Sequence, residues 1–205
     1  GMRWEFFRLD NEIEDSKPIF RTGLNYQLAE YTFLRASYGM GYRFPTIAEK
    51  YTSTNLSSIK IFPNPDLESE TGWSSEIGIK QGVSFSNWNG YIDIAAFWTE
   101  YQNMMEFTFG FYDTLTFQTI PADVIPAIYN MGFKSVNIGN AQITGVDMTF
   151  PGQGSIWGIP ATILAGYTYT NPVDLNAKAD SSRTTEGNIL KYRFYHSAKA
   201  DLELR

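Results

Sequence analysis

Gly41-Tyr42-Arg43-Phe44-Pro45-Thr46-Ile47-Ala48-Glu49-Lys50-Tyr51 and, after a polar interval, Asn64-Pro65-Asp66-Leu67-Glu68-Ser69-Glu70-Thr71-Gly72-Trp73-Ser74-Ser75-Glu76-Ile77-Gly78-Ile79-Lys80 together decide how the rest of the chain is read. The first half is the top of a strand that stops at Pro45, which has no N–H to give to a ladder. Asn64-Pro65-Asp66 is turn chemistry. From Trp73 the side chains alternate again, with Trp73, Ser75, Ile77 and Ile79 on one face and Ser74, Glu76, Gly78 and Lys80 on the other. Strand, long loop, strand is therefore the local pattern.

The same period of two extends in both directions. Upstream, strands are expected at 2–9, with Trp4 and Phe6 opposite Arg3 and Glu5, and at 18–28 after a polar loop at 10–17. A third runs over 32–44, where Leu34, Ala36, Tyr38, Met40, Tyr42 and Phe44 oppose Arg35, Ser37, Gly39, Gly41 and Arg43. Downstream, strands follow at 72–82, 89–109, 134–150, 155–171 and 189–205. The sixth slips phase at Gln142 and Thr144, which points to a bulge near Gly145. Pro151-Gly152-Gln153-Gly154 reads as a tight turn, and Pro160 marks a bulge or strand start. No helical window competes beyond one turn at 47–51.

The connections carry the next inference. In order they span 8, 3, 27, 6, 24, 4 and 17 residues (10–17, 29–31, 45–71, 83–88, 110–133, 151–154 and 172–188). Antiparallel strands reverse direction each time, so every long loop falls at one end and every short turn at the other. Transmembrane barrels segregate their connections in this way, with long extracellular loops and short periplasmic turns. A soluble sandwich has no reason to. The expected fold is thus all-β, an antiparallel up-and-down transmembrane β-barrel segment of about eight strands. Its apolar face meets lipid, and its polar face, with Arg21, Arg35, Arg43, Glu76, Lys80 and Asp93, lines an aqueous lumen.

Composition agrees. Aromatic residues make up 16% and charged residues only 19%, as amphipathic, aromatic-rich strands require. No run of about 18 apolar residues is present, so a spanning helix is excluded, whereas a spanning strand needs only about 10 residues with one apolar face. Zero cysteines remove disulfides, thiolate metal sites and cysteine nucleophiles. A net charge of −6 without basic runs makes nucleic acid an unfavoured partner. No secretory signal opens the chain, so it reads as a slice of a longer protein.

The quoted stretch also resembles a known family. Gly41 to Tyr51 followed by Asn64 to Trp73 is similar to the mid-barrel signature of TonB-dependent outer-membrane receptors. Val136-Asn137-Ile138-Gly139-Asn140-Ala141-Gln142-Ile143-Thr144-Gly145-Val146-Asp147 resembles the Asn-x-Gly-x-Ala-x-x-x-Gly-x-Glu strand of the same barrels, with Asp147 where Glu is usual. The resemblance implies that residues 1–205 are part of a single barrel domain, about eight of about 22 strands. It implies a Gram-negative outer membrane, a plug domain and TonB as partners in the complete protein. It further implies import of a scarce small-molecule nutrient such as a ferric siderophore or cobalamin, with no enzymatic step. Isolated in lipid, eight strands with two unpaired edges are expected to join the first strand to the last or to pair with copies. A rival reading is a soluble all-β glycan- or ligand-binding module; an outer-membrane enzyme barrel is a third, disfavoured one.

Catalytic, metal and cofactor chemistry finds no support in the pattern. His196, the only histidine, shares the apolar face of its strand while Ser197 points the other way, so the two make no nucleophile–base pair. One His without Cys supplies no usual metal cluster. Glu68 and Glu70 read as a solvated loop edge rather than a catalytic carboxylate pair. The ligand-contact candidates are Arg35 and Arg43 on the lumen face, suited to carboxylate or phosphate groups, and the loop aromatics Tyr51, Phe109 and Tyr112, with Phe107 and Phe111 beside them.

Overall fold

The computed structural model describes the chain except residues 10–11, 57–58, 122, 177–188 and 191–193. In chain order its strands are β1 (Met2–Leu9), β2 (Glu12–Ala29), β3 (Thr32–Arg43), β4 (Thr54–Leu56), β5 (Ile59–Phe62) and β6 (Glu70–Phe85). They continue as β7 (Trp88–Gln102), β8 (Met105–Phe111), β9 (Met131–Asn137), β10 (Ala141–Ile156), β11 (Ile159–Asp174) and β12 (His196–Leu204). A short α-helix, α1 (Ile47–Tyr51), follows β3, and a 3-10 turn (Ile128–Asn130) precedes β9. The eight long strands form one antiparallel up-and-down wall in the order β1-β2-β3-β6-β7-β10-β11-β12. The other four form a second, smaller sheet in the order β4-β5-β9-β8. No helix among the described residues is long and apolar enough to cross a membrane, which has no bearing on spanning strands.

The wall's alternation is the one the sequence dictates. Leu34, Tyr38 and Ile77 stand exposed on one face, Ile77 at 65%, instead of meeting in a closed interior. The other face carries Arg35, which donates to Glu76 Oε1 at 2.9 Å and to Asp93. Farther down that face, the Lys80 ammonium lies 3.6 Å from the centre of the Tyr91 ring. Along β6 the apolar row runs from Trp73 to Phe85. Twelve steps of about 3.3 Å, tilted about 45°, rise about 28 Å, which matches the apolar band of a membrane barrel. Gln81 interrupts that row with its amide spoken for, accepting from the Thr32 hydroxyl at 2.6 Å and donating to the Gly82 carbonyl at 2.8 Å.

An aromatic row closes the upper end of the band. Tyr38 stacks on Trp73 with ring centres 6.0 Å apart, and Trp73 on Trp98 at 6.2 Å. Trp98 Nε1 donates upward to Glu100 at 3.0 Å, so the indole's polar edge faces the polar zone above it, as interfacial tryptophans do. His196 joins the same level, 2.7 Å from the Tyr167 hydroxyl and tilted against Tyr169, packed on the apolar face as expected.

Several boundaries differ from the pattern reading. The 10–17 loop is mostly strand: Glu12 to Lys17 belong to β2 and pair with Glu5 to Leu9, and Trp4 Nε1 donates to Ser16. The run looked like a loop because it is charged and polar, yet β1 supplies its ladder. The hairpin after β10 is Trp157-Gly158, not Pro151 to Gly154; both residues have positive φ, 51° and 82°, which suits the twist of a two-residue turn. Pro151 stays inside β10 because its missing N–H falls where the β7 ladder skips from Thr149 to Gly152. No bulge occurs at Gly145, where register is continuous on both sides. The glycine is there because an added Cβ would collide with the Tyr169 carbonyl and the Phe97 ring.

The largest corrections concern the fifth and sixth strands. Each is two strands serving different sheets. The fifth breaks after Gln102, where Asn103 has φ 54°, and the sixth breaks over 138–140, where Gly139 has φ +100°. The lost phase near Gln142 marks that change of sheet. Pairing of the first strand with the last is not formed: β1 and β12 lie at opposite edges of an open wall. Lys191, Tyr192 and Arg193 of the eighth expected strand, and the Asp180 to Arg183 loop, lie outside the described residues.

Candidate functional site

All the long connections leave one end of the wall, and two of them, 44–69 and 103–140, build the small sheet there. β5 pairs parallel to β9 through Lys60–Gly132, Ile61–Phe133 and Phe62–Lys134, so strands from separate loops share one ladder. Parallel neighbours need a long crossover, and wall strands β6 and β7 together with β8 supply it.

An amide–carboxylate clasp fixes this outer sheet to the wall. Asn137 Oδ1 accepts from the Glu68 N–H at 2.9 Å, while its Nδ2 donates to the carbonyls of Glu68 at 3.1 Å and Asn103 at 2.8 Å. Asn103 Nδ2 donates to Glu68 Oε2 at 3.0 Å, Glu70 Oε2 accepts from the Met105 N–H at 2.8 Å, and Asn64 Nδ2 reaches the Ser135 carbonyl at 2.8 Å. Below the clasp, Met104, Ile138, Ala141 and Leu190 form a small buried core. Glu68, on the exposed edge expected of it, and Glu70, the first residue of β6, therefore also act as joints between the outer sheet and the wall. The two stretches that stood out in the sequence are the two halves of this one joint. Pattern reasoning had no way to bring them together, because the contact runs across two wall strands.

At the rim, α1 is a single turn with a complete capping box. Thr46 Oγ1 accepts from the Glu49 N–H at 3.2 Å, and the Glu49 carboxylate accepts from the Thr46 N–H at 2.8 Å. Arg43 reaches across to the same carboxylate. Burial pushes Glu49 up, but the Thr46 hydrogen bonds and the Arg43 charge outweigh it and hold the carboxyl below its usual range.

The five candidates do not form one constellation. Arg35 sits deep on the polar face between Glu76 and Asp93. Arg43 is paired to Glu49 and borders a cleft of about 440 Å³ lined also by Arg21, Gly39, Gly41, Gly72 and Tyr101. Gly41 faces open space there, with nothing within 4 Å of where a Cβ would stand. Tyr51 is exposed at the end of α1. Phe109 and Tyr112 lie on opposite faces of the outer sheet. Tyr112 is 3% exposed, packs on Phe62 with centres 5.3 Å apart, and its hydroxyl, pushed up by burial, meets Thr108 at 3.0 Å. It serves the sheet's own packing.

Phe109 instead joins Phe107 and Phe111 on the outward face, with Phe133 against both Phe107 and Phe109 at about 5 Å. Lys134 was not singled out by the sequence. It is buried on the inner face, its Nζ donates to the Phe117 carbonyl at 2.6 Å, and burial pushes its ammonium down while Asp66 opposes that shift. The bond holds the 113–119 loop, where the Asp113 carboxylate accepts the Leu115 and Thr116 N–H groups. The result is a hydrogen-bonded platform with a half-exposed aromatic face, standing above the apolar band.

The family model described as TonB dependent receptor-like, beta-barrel, matches residues 1–203. A hemoglobin-haptoglobin-binding protein A of Haemophilus influenzae is 28% identical over 160 residues, which is 76% of this chain and 13% of that protein. A hemoglobin and hemoglobin-haptoglobin-binding protein A of the same organism is 31% identical over 116 residues, 56% of this chain and 10% of that one. The chain thus spans about an eighth or less of these relatives. Among solved structures, the Serratia marcescens hemophore receptor HasR, in complex with its hemophore HasA and heme, matches with a TM-score of 0.56 at 21% identity, over 76% of this chain and 22% of that one. The copper transporter OprC matches with a TM-score of 0.52 at 16% identity, over 77% of this chain and 21% of that one. These structural likenesses show the fold alone.

Proposed function

Because the chain belongs to the TonB-dependent receptor-like β-barrel family, we propose that it forms part of the wall and extracellular rim of a non-enzymatic importer in a Gram-negative outer membrane. In this reading the wall is about eight of about 22 strands. Its apolar face meets outer-membrane lipid, the end with the small sheet is extracellular, and the two-residue turns are periplasmic. The Arg35–Glu76–Asp93 face looks into the lumen toward a plug domain, and TonB supplies the energy coupling. The soluble glycan-binding alternative gives way, since a soluble module would not leave Leu24, Ile77 and Leu34 open on one face of its only large sheet.

For the cargo we propose iron-bearing heme taken from a protein carrier rather than a free siderophore or cobalamin. The observation that carries this is the outer sheet itself. Loops 44–69 and 103–140 build a clasped, aromatic-faced platform, a surface shaped for a macromolecule, and the curated relatives are named for binding hemoglobin. The test is uptake by an iron-starved Gram-negative host expressing the full-length receptor, read as growth on hemoglobin or ferric siderophore as the iron source and as accumulation of labelled cobalamin, with and without TonB. TonB-dependent growth on hemoglobin supports the reading; uptake of siderophore or cobalamin with none of hemoglobin replaces it.

A further inference from the structure

Among the described residues β8 forms one edge of the outer sheet, and the three-residue β4 forms the other. Alternate residues of a strand aim their backbone groups at opposite neighbours. The Tyr112 N–H donates to the Asn130 carbonyl at 2.8 Å, in register with the pairs Gly110–Gly132, Thr108–Lys134 and Glu106–Val136. Even-numbered residues therefore bond β9, and odd-numbered ones turn N–H and C=O away from it. Both ends of that outward row are occupied, the Met105 N–H by Glu70 at 2.8 Å and the Phe111 carbonyl by the Ile120 N–H at 2.9 Å. Between them the N–H and C=O groups of Phe107 and Phe109 have no partner among the described residues. Their side chains are 55% and 52% exposed, and the three-residue window holds neither charge nor proline, with Glu106 just before it on the opposite face of the strand.

We propose that the Phe107–Phe109 window of β8 is a docking edge for an extended segment of the protein cargo, added as a further strand to the outer sheet. Main-chain bonds to Phe107 and Phe109 hold the segment, and its apolar side chains lie on Phe107, Phe109 and Phe133. Charge selects its composition. The segments 44–69 and 103–140 carry Glu49, Asp66, Glu68, Glu106, Asp113 and Asp123 against Lys50, Lys60 and Lys134, a net of 3 − 6 = −3, and Lys134 is buried. A segment with lysine or arginine between apolar residues fits this platform. The proposal rests on the reading that the cargo is carried by a protein.

The experiment uses the full-length receptor in lipid nanodiscs with hemoglobin as the probe, reading residue-resolved amide exchange and dissociation constants. Phe107 and Phe109 amides are expected to exchange freely without hemoglobin and at least about tenfold more slowly with it. Phe109→Pro removes an outward N–H without touching the β9 bonds and is expected to weaken binding about tenfold, more than Phe109→Ala does. Unchanged Thr108 and Gly110 exchange certifies that each variant has kept its sheet. Hemoglobin binding that leaves Phe107 and Phe109 exchange unaltered overturns the docking edge while the cargo reading stands. Protection of both amides before hemoglobin is added overturns it in favour of a loop of the receptor or a second copy. No hemoglobin binding at all removes the cargo reading, and the docking edge with it.

Discussion

Replacing Asn137 by Ala tests whether the clasp is what makes the outer sheet rigid. The change deletes three hydrogen bonds, from the Glu68 N–H at 2.9 Å and to the carbonyls of Glu68 at 3.1 Å and Asn103 at 2.8 Å. At about 1 kcal/mol net for each, the ceiling is about 3 kcal/mol. Glu68 is exposed, so water restores part of the two bonds it shares, and roughly 1.5–2 kcal/mol of local stability is lost. An opening equilibrium therefore rises about 10- to 30-fold. The reporters are the Met104 N–H, bonded to the Gly139 carbonyl, and the Ile138 N–H, bonded to that of Met104, each at 2.8 Å. Native-state amide exchange of the full-length receptor should show both accelerated by that factor, with Val146 and Tyr169 in the wall unchanged. Acceleration below twofold at Met104 and Ile138 refutes the clasp as the holding element. Equal acceleration in the wall refutes the idea that the outer sheet opens as a separate unit.

Three further outcomes follow from the same geometry. Glu49 is held below its ordinary value of 4.5, so its contribution to α1 is complete above that value and is lost as pH falls through the depressed one; the Lys50 and Thr52 amide shifts should report unwinding at acidic pH, and Glu49→Gln should abolish that pH dependence. Gly145→Ala forces a methyl into the Tyr169 carbonyl and the Phe97 ring and should cost about 1–3 kcal/mol, seen as a lowered melting temperature in detergent; an unchanged melting temperature would mean the strands spread at no cost. Arg35→Met leaves Glu76 and Asp93 without their shared cation. Because all three are partly exposed, the loss should be under about 1 kcal/mol and shrink with salt, and a larger, salt-independent loss would show that the triad is dry in the complete barrel.

The wall was largely legible because a period of two writes itself into each strand. Leu34 to Phe44 against Arg35 to Arg43 needed no tertiary information, nor did the end at which long loops gather. The outer sheet was not legible, because its β5–β9 ladder joins residues whose proximity depends on β6 and β7 having already turned back. The fifth strand showed the limit from the other side: Phe107 and Phe109 kept the alternation, but nothing local revealed that Asn103 had moved them to another sheet. Prolines misled at Pro151, since a skipped rung in the neighbouring ladder absorbs the missing donor as well as a turn would. Of the ligand candidates, Tyr112 illustrates why loop aromatics are ambiguous. Phe109 in β8 and Tyr112, just past its end, differ in exposure through the parity of their positions.

The parallel rung between Ile61 and Phe133 has a practical corollary for anyone exchanging surface features between receptors of this kind. Neither 44–69 nor 103–140 is a self-sufficient cassette: transplanting one alone strands its half of the ladder and leaves the Asn137 amide facing a stranger. The pair travels as a single heritable unit, so chimeras should tolerate moving both together, and divergence in length within one segment should be answered by a matching change in the other.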